Sequence, residues 1–155
     1  LNFYLCHDHY SSPMKKAKLL IEPTYDFELL GLVSPIKDYK MAWVINRELQ
    51  LQLAKSEDLV LEFVSMPKLE ISQYFLALPY GFIQLLKNKA LNSSLQLAYL
   101  IPELRNMDYF LLVQDETEQT NITTFAEHLS KNSHIQSVVR LDVSKLKSKE
   151  NLLTY

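Results

Sequence analysis

Glu103, Arg105, Asp108 and Tyr109 lie within seven residues of one another, between an apolar segment ending at Ile101 and the apolar run Phe110, Leu111, Leu112 and Val113. Two carboxylates, a guanidinium and a phenol in one short polar turn are the residue types of acid–base chemistry or of charged recognition. A second group is Lys37, Asp38, Tyr39, Trp43 and Asn46, where aromatic and charged side chains of the kind that dominate protein contact surfaces sit on a segment of helical character. Each group also has a plain structural reading. Pro102 and Glu103 suit the first turn of a short helix, with the acid at its positive end, and Asp38 can do the same after Ser34. Tyr39 and Trp43 can pad the edge of a core.

Other chemistries lack their residues. With only Gly31 and Gly81 in 155 residues, no glycine-rich loop can wrap backbone amides around a phosphate, so P-loop and dinucleotide fingerprints are absent. No serine stands between glycines as in a nucleophile elbow, and a cysteine–histidine nucleophile would have to use the single Cys6. Cys6, His7 and His9 are three soft-metal donors without a matching second cluster, and the acidic pairs Glu57–Asp58 and Asp115–Glu116 lack the ligand spacing of a calcium loop. His128 and His134 read as surface histidines near a helix end. We therefore expect no metal, no cofactor and, more broadly, no catalysis; Asp108, Glu103 and Tyr109 are the acid–base candidates in the event of an enzyme. A net charge of −2 with both signs scattered along the chain provides no basic field for nucleic acid, and Lys145, Lys147 and Lys149 do not reverse that balance. No segment approaches the ~20 apolar residues of a membrane span. One cysteine forms no intramolecular disulfide, and the expected compartment is the cytoplasm.

Read with Ile101, the turn has the pattern Ile-Pro-Glu, three further residues, then Met-Asp-Tyr. It resembles the signature of the uncharacterised bacterial IPExxxVDY family, with Met107 where the family has valine. Lys37-Asp38-Tyr39 resembles a lysine-aspartate-tyrosine segment early in the same family. The specific match is confined to these two segments. The resemblance implies no activity; through gene neighbourhood it implies ribonuclease III, fatty-acid synthesis enzymes and pyruvate kinase as the first partners to test.

The elements that must position both groups follow from periodicity. Residues 27–33 predict a strand, and Ser34 and Pro35 a helix start. In that helix Met41, Ala42, Ile45, Leu49 and Leu53 share one face, opposite Lys37, Lys40, Arg47 and Glu48. Residues 59–64, 71–78, 82–86 and 95–101 predict short strands, with Pro79, Tyr80 and Gly81 as a hairpin turn. The run 109–113 is apolar without alternation and predicts a central strand covered on both faces, with Leu111 and Leu112 buried on opposite sides. Asn121 caps a helix carrying Ile122, Phe125, Ala126 and Leu129. In a last strand over 135–143, Ile135, Val139, Leu141 and Val143 alternate with Gln136, Arg140 and Asp142. Strand, helix and strand in that short span predict a right-handed parallel crossover.

The expected fold is α+β, an antiparallel-rich mixed β-sheet of about six strands with two helices packed mainly on one face. Residues 14–143 form its single domain, residues 1–13 read as a disordered leader or upstream sequence before a natural start at Met14, and residues 144–155 as a mobile polar tail. The functional expectation is a non-catalytic binding or adaptor protein that contacts another protein through Lys37, Asp38, Tyr39, Trp43, Asn46, Glu103, Arg105, Asp108 and Tyr109, with a homodimer also open. The alternative is a small-ligand-binding regulatory domain of ferredoxin-like plan, suggested by the strand-helix-strand frame at both ends of the chain.

Overall fold

The apolar run that predicts a central strand is the middle of the molecule. In the computed structural model, which describes residues 24–64, 67–92 and 97–153, β7 (Tyr109–Asp115) lies between β6 (Gly81–Lys87) and β1 (Glu28–Val33). Its residues Tyr109 to Val113 are all buried, and Leu111 and Leu112 point into separate cores. Around it are α1 (Asp38–Leu49), β2 (Ala54–Lys55), β3 (Leu59–Leu61), β4 (Leu69–Ile71), β5 (Gln73–Leu78), α2 (Ile122–Ser130) and β8 (Ser137–Leu141). The six-stranded sheet has the order β2-β5-β6-β7-β1-β8 with every neighbouring pair antiparallel, and β3 and β4 form a separate ribbon. The α+β class, six-stranded sheet and two helices match the sequence reading.

The four strands β8-β1-β7-β6, with α1 leaving β1 and α2 joining β7 to β8, have the connection order of a ferredoxin-like β-α-β-β-α-β unit. Residues between α1 and β6 are an insertion that adds β5 and β2 to the sheet. Since β1 is antiparallel to both β7 and β8, those two run parallel to each other across it, joined through α2.

Two cores explain the alternation along the strands. On one face Leu30, Leu32, Ile83, Leu85, Leu111 and Val113 pack against Met41, Val44 and Ile45 of α1 and Ile122 and Leu129 of α2. On the other, Leu29, Leu86, Phe110 and Leu112 meet Leu69 and Ile71 of β4, Leu100, Ile101 and Met107 of the connection before β7, and Val143, Leu146 and Leu152. The β5–β6 turn is Pro79–Tyr80, as expected, and Gly81 is required there because a β-carbon would stand 1.9 Å from the Gln114 carbonyl oxygen of β7.

Several expectations are corrected. Residues 144–153 do not project as a polar tail: they form short 3₁₀ turns at Val143–Lys145 and Lys149–Leu152 and bury Leu146 and Leu152, whose irregular spacing carries no helical or strand period. The predicted strand over 95–101 is, in its described part, a single bridge between Lys89 and Tyr99, made by the Ala90 amide on the Ala98 carbonyl and the Leu100 amide on the Asn88 carbonyl. Ser34 does not cap α1. Its hydroxyl donates to the His134 carbonyl, and the helix starts four residues later with no side-chain cap. Over residues 135–143 the expected single-face pattern breaks, since Ile135 joins the helix-side core and Leu141 and Val143 the opposite one, and only Ser137–Leu141 is strand. The reading of residues 1–13, including Cys6, His7 and His9, lies outside the described residues.

Candidate functional site

The signature turn is built around an asparagine the sequence reading did not single out. Asn88, fully buried at the end of β6, donates to the carbonyls of Leu104 (2.8 Å) and Met107 (2.9 Å) and accepts from the Ile101 amide (2.9 Å). Those bonds bend the chain back on itself, so that Pro102–Leu104 makes one 3₁₀ turn and Met107 is buried, its sulfur 2.8 Å from where a β-carbon on Gly31 would be. A side chain at position 31 would therefore require the Met107 thioether to shift.

The turn then delivers two side chains to the start of α1. Asp108 accepts from the buried Ser34 amide (2.8 Å), and the Tyr109 hydroxyl donates to the Ile36 carbonyl (2.5 Å). Burial, reinforced by the negative charges of Asp38 and Asp108, pushes the Tyr109 phenol well above its usual range, so it stays a neutral donor. The turn thus bonds to Ser34 and Ile36, in the segment just ahead of Lys37, and not to the Lys37–Asn46 group itself. Tyr109, expected on a recognition surface, is only 1% exposed.

Asp38, at the first position of α1, turns inward. Its carboxylate accepts from the buried Ser72 hydroxyl (2.5 Å) and from the Tyr39 amide (2.8 Å). Burial opposes its ionisation, but those hydrogen bonds and the charges of Lys87 and Lys55 outweigh it and hold the carboxyl below its ordinary range. Tyr74 beside it is shifted upward by burial and by the Asp38 charge, and Lys55 lies over the Tyr74 ring at 5.6 Å. Ser72 was missed in the sequence; a lone hydroxyl between Ile71 and Gln73 is its only trace. Within this cluster the Ser72 hydroxyl proton is committed to Asp38, whose carboxylate is only partly buried.

The remaining candidates separate. Glu103 lies away from α1 and accepts from the Ser148 amide (3.0 Å) at the start of the last 3₁₀ turn. Desolvation opposes its charge, but the bonds from Ser148 and neighbouring amides prevail and lower its pKa. A lowered folded value means that this contact stabilises above the ordinary glutamate range and is lost as the pH falls through it. We expect Glu103→Gln to cost ~0.3–1 kcal/mol at neutral pH, as for an exposed acid at a helix end, and to flatten the acid limb of a melting-temperature profile; a loss of several kcal/mol would show a larger role. Asn46 exchanges two hydrogen bonds with the backbone of Leu53 (3.0 and 2.8 Å) and fixes the chain's exit from α1. Arg105 and Lys37 are exposed.

Tyr39 and Trp43 face outward, 62% and 54% exposed, with the Arg47 guanidinium 5.3 Å from the Trp43 ring centre. Three residues of α1 and its cap, Lys37, Lys40 and Arg47, are exposed cations. Its two acids are occupied, Asp38 by Ser72 and Glu48 by the Asn132 amide at 2.9 Å. The outer face of α1 is thus aromatic and positive on a chain whose net charge is −2.

Three shallow depressions of about 500 Å³ each flank the α2 and β8 side, lined in part by Tyr25, Glu28, Asp115, Thr120 and Arg140. Among the described residues no three His, Cys, Asp or Glu side chains converge as a metal would need, and no helix is long and apolar enough to cross a membrane. The helix-free face of the sheet, where an RRM-type protein stacks bases on aromatics, is covered around β7 by residues 97–107 and 143–152. No protein-family model matches the chain, and no curated protein or solved structure matches it significantly.

Proposed function

We propose that this chain is a non-catalytic binding domain that recognises an acidic protein surface through the outer face of α1. The observation that carries this reading is the exposed pair Tyr39 and Trp43, one helical turn apart, with Arg47 a further turn on. Rigid aromatics and arginine supply large contact area at small entropic cost and dominate interface hot spots. Lys37, Lys40 and Arg47 add a positive rim whose counter-charges are engaged elsewhere, so an acidic partner is favoured and its association is salt-sensitive. The enzymes implied by the IPExxxVDY resemblance are the first partners to test.

The experiment compares the intact protein with a Tyr39→Ala/Trp43→Ala variant in affinity capture and in titration with any captured partner. Truncating exposed side chains should leave the melting temperature nearly unchanged while affinity falls by roughly 100-fold or more. A double variant that keeps every partner at unchanged affinity ends this reading. A regulatory small-ligand domain is the second reading, favoured by the ferredoxin-like strand order, and fold analogy is a weak warrant for it. A thermal-shift screen of amino acids, nucleotides and acyl thioesters with no shift at millimolar ligand removes it.

A further inference from the structure

The two edges of the sheet are finished differently. At the β5 edge, Ala54 and Lys55 of β2 pair with Phe75 and Tyr74, and the Gln73 carbonyl takes the Ser56 amide (3.2 Å) and the Lys55 ammonium (3.5 Å). At the β8 edge, residues Ser137 to Leu141 pair with β1 on one side, and among the described residues no backbone hydrogen bond comes to them from the other. Exposed edges are ordinarily blunted by proline, a bulge, lysine or a covering segment. Among the described residues β8 has none of these: its sequence is Ser-Val-Val-Arg-Leu, and its one charge, Arg140, is drawn back onto Glu28 of β1 at 3.1 Å. Val139 sits opposite Gly31, which has no side chain to lean over it, and is 37% exposed.

We propose that β8 is a self-association edge, at which two copies of the chain pair antiparallel about a two-fold axis through Val139 and join their sheets into one. The occupant follows from the strand's pattern. With the axis at Val139, each Val139 faces the same residue of the second copy, each Val138 faces an Arg140, and each Ser137 faces a Leu141. A β-branched pair stands at the centre, and the arginine stem lies across a valine while its head stays with Glu28. An axis one residue further on would set two Arg140 side chains face to face, which like-charge repulsion disfavours. A strand that complements itself, with its charge off the axis and already paired, fits a second copy, and the two-fold closes the edge instead of propagating it. This surface is distinct from the outer face of α1, and its test needs no other partner.

The test is sedimentation equilibrium of the full chain, with Val139→Lys as the disrupting variant. The unmodified protein is expected to be a concentration-dependent dimer. Val139→Lys places two ammonium groups across the axis and should raise the dimer dissociation constant ~100-fold. Its melting temperature at concentrations where both proteins are monomeric reports that the variant folds. A second measurement uses cysteine: Val139→Cys in a Cys6→Ser background should oxidise to a covalent dimer, since facing β-carbons at such an axis come within a disulfide's reach, and Ser137→Cys in that background should not. A protein that stays monomeric up to ~1 mM, a dimer indifferent to Val139→Lys, or crosslinking at position 137 in preference to 139 overturns the proposal. Dimerisation that survives Tyr39→Ala/Trp43→Ala supports it.

Discussion

Replacing Asn88 with alanine is expected to lower stability by roughly 3–5 kcal/mol, one of the largest effects of any single substitution in this chain. The side chain contributes little apolar burial; its effect lies in the three backbone groups it satisfies, the Ile101 amide and the Leu104 and Met107 carbonyls. Ile101 and Met107 are buried, so those groups lose their partner in a place water does not reach freely, and each orphaned group costs about 1–3 kcal/mol. Asn88→Asp separates this account from a packing effect. The aspartate keeps the acceptor for Ile101 but turns a carboxylate toward two carbonyls in a buried position, which raises its pKa. With the folded value raised, the variant is most stable below the unfolded carboxylate range near ~4 and loses stability as the pH rises through it. Chemical denaturation of both variants from pH 3.5 to 7.5 checks this. A cost near 1 kcal/mol for alanine, or an aspartate variant indifferent to pH, would show that Asn88 does not hold the turn.

What the sequence makes legible, and what it does not, follows from the range of the interactions. β7 and both helices are readable because each is specified by its own residues: an unbroken apolar run that must be covered twice, or apolar positions repeating every three to four residues. Asn121 was readable as a cap for the same reason, since its side-chain oxygen takes the Thr123 and Thr124 amides two and three residues away. The connection 97–107 was not readable, because its path is set by Asn88, 13 to 19 residues before the backbone groups it holds, and a polar residue at a strand end has no periodic signature. Ser34 and Pro35 satisfy the local rule for a helix start, yet the serine is claimed by Asp108 and by His134, which are 74 and 100 residues distant. Tertiary contacts of that span override a cap worth ~1 kcal/mol. Leu146 and Leu152 escaped notice because 3₁₀ turns this short impose no pattern on the chain.

The candidate site shows the same division. The turn from Ile101 to Tyr109 stood out as a crowd of functional groups, and it is a crowd, but most of its members face other parts of the same chain. Glu103 holds the last 3₁₀ turn, while Asp108 and Tyr109 hold the segment ahead of α1. Tyr39 and Trp43 were equally compatible with a padded core edge, and only the placement of α1 decides that they face outward. Amphipathic spacing identifies the buried stripe of a helix; it does not say whether an aromatic on the flank is covered by another element.

Removing both contacts between the signature turn and the segment ahead of α1, with Asp108→Ala and Tyr109→Phe together, is expected to cost roughly 2–3 kcal/mol of stability, since the Asp108 carboxylate is exposed and screened, and to leave recognition intact. Asp108 gives a charged acceptor to the Ser34 amide, which is almost fully buried, and a charge-assisted bond of this kind contributes about 1.5–3 kcal/mol. The Tyr109 hydroxyl adds a neutral bond of about 0.5–1.5 kcal/mol to the Ile36 carbonyl, with the ring's packing preserved in phenylalanine. Both bonds pin the same four-residue link between β1 and α1, so once one is gone the link moves and the other is worth less. The double variant should therefore lose less than the two single variants combined. Tyr39 and Trp43 themselves are untouched, and α1 keeps its buried face of Met41, Ala42, Val44 and Ile45. Partner affinity measured per folded molecule should stay within about threefold of the unmodified protein, which is the opposite profile to Tyr39→Ala/Trp43→Ala. Denaturation and binding measured on the same set of variants decide between architecture and recognition for these residues. If Asp108→Ala with Tyr109→Phe abolished binding while leaving stability unchanged, the signature turn would be part of the recognition surface, and the role assigned to its hydrogen bonds would be wrong.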